Sequence, residues 1–269
     1  MWRALFALTP AEGKRLIAKG VRRLPEVARA LREGKIIIAG GTTNAFVAEE
    51  ILGRKIPKER YTAGIITGGM TCVTPPEMRI PPLVLIKGEV SEASWEDVLE
   101  DFGPGDVFIK GANAVDATGM AGVLVSHPAG GTIGKALGVL AARGSHLIVP
   151  VGLEKMIPSV ALAARSCGTM LFHYSLGSPV GLVPLVQGKV VTELTALEIL
   201  APVEAVALGA GGVGGSEGAV VIAVSGEADN VERIFNLIKE IKGEPPVSGL
   251  KQECAKCFSP CAAGEAKMY

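Results

Sequence analysis

The fold is decided by Lys35-Ile-Ile-Ile-Ala-Gly-Gly-Thr-Thr-Asn-Ala-Phe-Val-Ala-Glu-Glu-Ile-Leu52. Lys35 to Ala39 is a short β-branched run of the kind that fills a buried parallel strand. From Ala45 the spacing turns helical, with Phe46, Ile51 and Leu52 apolar and Glu49 and Glu50 polar. The turn between them is Gly40-Gly41-Thr42-Thr43-Asn44. Two glycines let the backbone approach a ligand, and the free N–H groups at a helix start favour an anion, so the turn reads as a seat for a phosphate or carboxylate. The competing reading is a tight strand-to-helix turn, capped by Thr or Asn, with no ligand.

Further along, apolar runs at 63–67, 83–87, 107–110, 123–126 and 147–151 are rich in Val, Ile and Leu and too short for helices. Helical stretches at 95–102, 133–142 and 157–167 lie between several of them. The alternation predicts an α/β domain with a mainly parallel open sheet and helices on both faces, in which ligands bind at the carboxyl ends of strands. Two more polar turns follow strand-like runs: Gly111-Ala112-Asn113-Ala114-Val115-Asp116, and His127-Pro128-Ala129-Gly130-Gly131-Thr132, which opens a helix carrying Lys135. Singly these are turn formers, caps and a solvated lysine. Together they predict one ligand rim, with Asp116, His127 and Lys135 as the candidates for catalysis.

Composition narrows the partners. The 269 residues balance 27 basic against 27 acidic side chains with only 4% aromatics, which argues against a nucleic-acid surface and for a small anionic metabolite. No apolar run approaches a bilayer span, so no membrane partner is expected. Leu5 to Leu8 is too short for a signal sequence and runs into Thr9-Pro10-Ala11-Glu12, a capping box with Pro at the first helical position. A helical pattern from Thr9 to Leu31 and a cytoplasmic location are the expectations.

The order of these turns resembles the NagB/RpiA/CoA-transferase-like superfamily, which includes ribose-5-phosphate isomerase, glucosamine-6-phosphate deaminase, the sugar-sensing domains of DeoR-type repressors and the CoA-transferases. A closer echo is the lactate-utilisation (LUD) domain, carried by Lys110 to Asn113, Thr118-Gly119, Lys135-Ala136-Leu137, His146 to Val151 and Lys155-Met156-Ile157-Pro158. The resemblance spans about residues 9–166 and implies a phosphorylated or carboxylated ligand at Gly40 to Asn44. The departures weaken any inherited reaction. Lys110 and Asn113 stand at two places where the isomerases carry acidic residues, Ala117 replaces the LUD-type acid, and no nucleophilic glutamate of a CoA-transferase can be placed. The alternatives kept are a sugar-phosphate isomerase, an acyl- or CoA-transfer enzyme, and a LUD-like redox accessory protein.

From residue 184 the pattern changes. Pro184 to Val186 and Val190-Val191 flank a hairpin-like Gln187-Gly188-Lys189 turn. The order β-α-β-β-α through residue 245 suggests a small ferredoxin-like α+β lobe, similar to the lid of the isomerases, with Asp229 and Glu232 spaced as a capping box. Gly209-Ala210-Gly211-Gly212-Val213-Gly214 matches a dinucleotide fingerprint, but another strand follows it instead of a helix, so a hairpin flap is expected. The expected organisation is thus an α/β domain at 1–183, a lid-like lobe at 184–245 and a tail at 246–269. In the tail, Cys254, Cys257 and Cys261 have metal-type spacing for zinc or an iron-sulfur cluster, one ligand short. Cys72, Cys167, a histidine or a second subunit of a homo-oligomer is open as the fourth; the alternative is a tail of reactive thiols or a disulfide.

Overall fold

The computed structural model describes residues 1–254. The chain opens with β1 (Trp2–Leu8), then α1 (Pro10–Arg23) and α2 (Pro25–Glu33). Thr9 and Glu12 form the expected capping box on α1. Pro25 divides the expected single helix, because proline lacks the N–H that would continue the ladder. Strand β2 (Lys35–Ile38) leads through the Gly-Gly turn into α3 (Thr42–Leu52). A hairpin, β3 (Gly64–Thr67) and β4 (Met70–Val73), precedes β5 (Leu83–Ile86), β6 (Glu89–Ser91) and α4 (Trp95–Glu100). Next come β7 (Val107–Ile109), β8 (Ala114–Val115), β9 (Ala121–Val125), α5 (Gly131–Arg143), β10 (His146–Pro150) and α6 (Val160–Arg165). The chain continues with β11 (Gly181–Leu185), β12 (Lys189–Val191), α7 (Glu193–Leu200), β13 (Val203–Gly211), β14 (Ala219–Gly226) and α8 (Ala228–Ile241).

The architecture is mixed α/β. The largest sheet has the order β12-β10-β7-β2-β5-β6, its first four strands parallel, with β5 paired antiparallel to both β2 and the edge strand β6. Side chains alternate across it. Ile36, Ile38, Val107 and Ile109 join one core with Leu16, Ile17 and Phe46, whereas Ile37, Phe108 and Val149 join a second with Val98, Ile133 and Leu140. Burial on both faces explains why these strands read as unbroken apolar runs. Among the described residues no helix is long and apolar enough to cross a membrane.

Several pairings differ from the expectations. The run at 63–67 forms the β3–β4 hairpin outside the main sheet, and β9 lies in a separate antiparallel sheet, β11-β9-β8. The segments around Gln187-Gly188-Lys189 do not form a hairpin. Strand β11 pairs with β9, while β12 extends the main sheet beside β10, with Gly188 so close that a Cβ there would lie 2.5 Å from Val149 Cγ2. In the third antiparallel sheet, β1-β14-β13, the strand beside β14 comes from the N-terminus, so both β1 and β12 cross the boundary expected near residue 183. The fingerprint glycines end β13 and enter its turn to β14, as a hairpin requires. Helix α8 starts on Glu227 without a side-chain cap, not on an Asp229–Glu232 box.

Candidate functional site

Strands β2, β7 and β10 are neighbours and parallel, so the segments leaving them meet at one rim. A cavity of about 110 Å³ lies there, lined by Gly40 to Thr43 after β2, Lys110 to Asn113 after β7, and Lys155 in the short 3-10 turn Leu153–Lys155 after β10. Helix α3 begins at this cavity and no side chain caps it. Its first N–H groups are therefore open to an anion. The Thr43 hydroxyl, in a residue only 2% exposed, has no hydrogen-bond partner. Packing would admit a side chain at Gly40, whose Cβ would meet only Tyr61 O at 3.7 Å, so its absence leaves backbone accessible. Gly111 is different: a Cβ there would crowd Asn44 Oδ1 at 3.1 Å and Pro150 O at 3.3 Å.

Two lysines supply the charge. Lys110 Nζ donates to Gly40 O at 3.1 Å, and Lys155 Nζ donates to Ala112 O at 2.9 Å. Burial, followed by repulsion from Lys155, lowers Lys110 to about 8. Burial likewise lowers Lys155 to about 8, with Lys14 adding to the effect and Glu154 and Glu193 opposing it. No carboxylate is among the described residues lining the cavity. Behind Lys155 sits a buried acidic pair. Burial opposes ionisation of Glu154, but Lys14, whose Nζ is 2.7 Å from Glu154 Oε1, and Lys155 hold it below its ordinary value. Burial and the neighbouring Glu154 push Glu193 up to about 7.

A second hollow of about 390 Å³ adjoins the first and shares Lys110 and Ser126 in its wall. It takes in Gly130, Gly131 and Thr132 at the start of α5, with His127 and Lys135. Here the backbone requires glycine, since Gly130 and Gly131 have φ of 75° and 60°. His127 is exposed, and its Nδ1 accepts the Ala129 N–H at 3.1 Å, a bond internal to the turn. Lys135 Nζ lies 3.3 Å from Glu96 Oε1 and over the Trp95 ring.

The remaining expected site residues are either committed to bonds within the scaffold or placed outside both hollows. Asn44 is fully buried beneath the cavity, where its amide donates to Ala39 O at 2.6 Å and Ile109 O at 3.4 Å and ties β2 to β7. Asn113 lines the cavity, yet its Oδ1 accepts from Leu124 N at 3.1 Å. Asp116 lines neither hollow. Its carboxylate accepts from the Thr118 hydroxyl and from the N–H groups of Thr118, Met120 and Val160, bonds that lower its pKa, the Thr118 hydroxyl most. Those bonds leave it organising the turn between β8 and β9 rather than poised as a base. Cys254 is exposed, while Cys257 and Cys261 lie outside the described residues, and with them the zinc or iron-sulfur expectation. Among the described residues no group of histidine, cysteine and carboxylate side chains could hold a metal.

The sequence reading did not count Lys110 and Lys155 among the site residues. Their signal was position: each follows a buried strand of the parallel set, at the rim where ligands bind. Compared with known proteins, the chain matches no family model, no curated protein and no solved structure.

Proposed function

We propose that the cavity at the ends of β2, β7 and β10 binds one small anionic metabolite, phosphorylated or carboxylated. The observation carrying this reading is the meeting of Lys110, Lys155 and the uncapped start of α3 in one hollow whose described lining has no carboxylate. Lys155 destabilises the ammonium form of Lys110, and an anion between the two relieves that repulsion while filling the helix-terminal N–H groups. The unpartnered Thr43 hydroxyl adds a donor. The resemblance to the NagB/RpiA/CoA-transferase-like superfamily belongs to the same proposal, supported by glycine-rich turns after the adjacent parallel strands β2 and β7.

Binding is favoured over isomerase or CoA-transfer chemistry by the acids. Asp116 is fully engaged in its turn, and Glu96, in the adjoining hollow, is paired with Lys135. Thermal-shift and calorimetric titration with phosphate, sulfate and small carboxylates tests the reading. Saturable one-site binding, lost when Thr42 and Thr43 are replaced by Leu, is expected. Unaltered binding in that variant would place the ligand elsewhere.

A further inference from the structure

Lysines that serve an anion site as fixed charges are ordinarily hydrated or ion-paired. Lys110 differs. It leaves the fully buried strand β7, its Nζ donates to a single main-chain carbonyl, that of Gly40, and among the described residues no carboxylate lies within ion-pair distance. The cation beside it is Lys155, and Ile65, Val123, Leu124 and Val180 give the cavity an apolar side. A desolvated amine next to a second cation is the environment in which lysine becomes a nucleophile near neutral pH.

The two lysines have different surroundings. Lys155 has Glu154 and Glu193 at its back, both favouring its ammonium form, whereas Lys110 has no such support and borders both hollows. We infer that Lys110 forms an imine with a carbonyl-bearing small anion, while Lys155 and the start of α3 hold the anionic group. The ligand class narrows accordingly to 2-oxo acids and aldose or ketose phosphates. This rests on the anion-binding reading above and deepens it.

The step balances without any oxidant or reductant. The Lys110 amine attacks the carbonyl carbon and a C–N bond forms. The carbonyl π pair moves to oxygen, which is protonated from the Lys155 ammonium to give a carbinolamine. Loss of that oxygen as water, its second proton coming from the nitrogen, leaves the imine. At pH 7.5 an amine with a pKa of about 8 has on the order of a hundredfold more free base than an exposed lysine.

The test incubates the full chain with glyoxylate, pyruvate or glyceraldehyde 3-phosphate, separately, at pH 7.5 with cyanoborohydride, and reads intact mass and modified peptides. The expected result is one reduced adduct on Lys110, suppressed by excess sulfate and absent in Lys110→Arg. The oxo acids and the sugar phosphate distinguish the two ligand sources. Sulfate calorimetry on the same preparation separates the two claims: sulfate bound without a Lys110 adduct overturns the imine and leaves the binding reading standing, while neither signal overturns both. An adduct on Lys155, or labels spread evenly over surface lysines, also overturns the assignment, and mapping on the unmodified sequence gives that answer even if the variant fails to fold.

Discussion

Affinity for an anion of constant charge should fall steeply with pH between 7 and 9. Sulfate is the appropriate probe, because its own charge does not change across that interval. Lys110 and Lys155 both have values of about 8. Each is then roughly nine-tenths protonated at pH 7 and one-tenth at pH 9, so a site needing both ammonium groups weakens about a hundredfold, or about 2.7 kcal/mol. Calorimetry at fixed ionic strength measures the dissociation constant and, in buffers of different ionisation enthalpy, the protons taken up on binding. Lys110→Met removes one titrating charge, so its pH dependence should shrink to about tenfold, on top of about 1.5–3 kcal/mol of lost affinity at pH 7. A flat affinity across the interval, or a variant that titrates as steeply as the parent, would refute the reasoning.

Three further perturbations address the scaffold. A carboxyl raised in the folded state stabilises the protein only while protonated, so Glu193 should cost stability as pH rises from its ordinary 4.5 through about 7. On the order of 3 kcal/mol is at stake, and urea melts of Glu193→Gln, which keeps an oxygen to accept from Leu153 N, should lack that decline; an equal decline would count against it. The Tyr61 hydroxyl donates to Ile38 O at 2.6 Å and accepts from Leu83 N at 2.9 Å, so Tyr61→Phe should destabilise by about 1–3 kcal/mol for each buried group stranded, and a shift under half that would reject the bridge. Arg15 joins Glu49 and Glu244 in a buried ion network, and Arg15→Leu should cost about 3–5 kcal/mol; the double change with Glu49→Leu should cost less than the sum of the single ones, and strict additivity would contradict the coupling.

What could be read from the chain was whatever is local. The β2 run, its Gly-Gly turn and the helical spacing of α3 lie within eighteen consecutive residues, and the Thr9–Glu12 cap within four. Sheet membership was not legible, because pairing is settled by distant partners: β1 turns only Phe6 and Leu8 inward, with Ala7 between them and Leu5 before them exposed, a pattern that makes sense only beside β14. The same holds for the site. Asn44 and Asp116 looked like ligand groups by residue type, yet folding commits the Asn44 amide N–H groups to Ala39 and Ile109 and the Asp116 carboxylate to Thr118 and Val160. Lys110 acquires its character from a carbonyl seventy positions earlier and a lysine forty-five positions later, and no short motif carries that information.

The most direct measurement is a crystal grown or soaked with selenate, read by selenium anomalous scattering. The account predicts one strong peak between Lys110 Nζ, Lys155 Nζ and the backbone N–H groups of Thr42 and Thr43. Peaks confined to other basic surfaces, such as the groove lined by Arg22, Arg23 and Arg233, with none in this cavity, would contradict it.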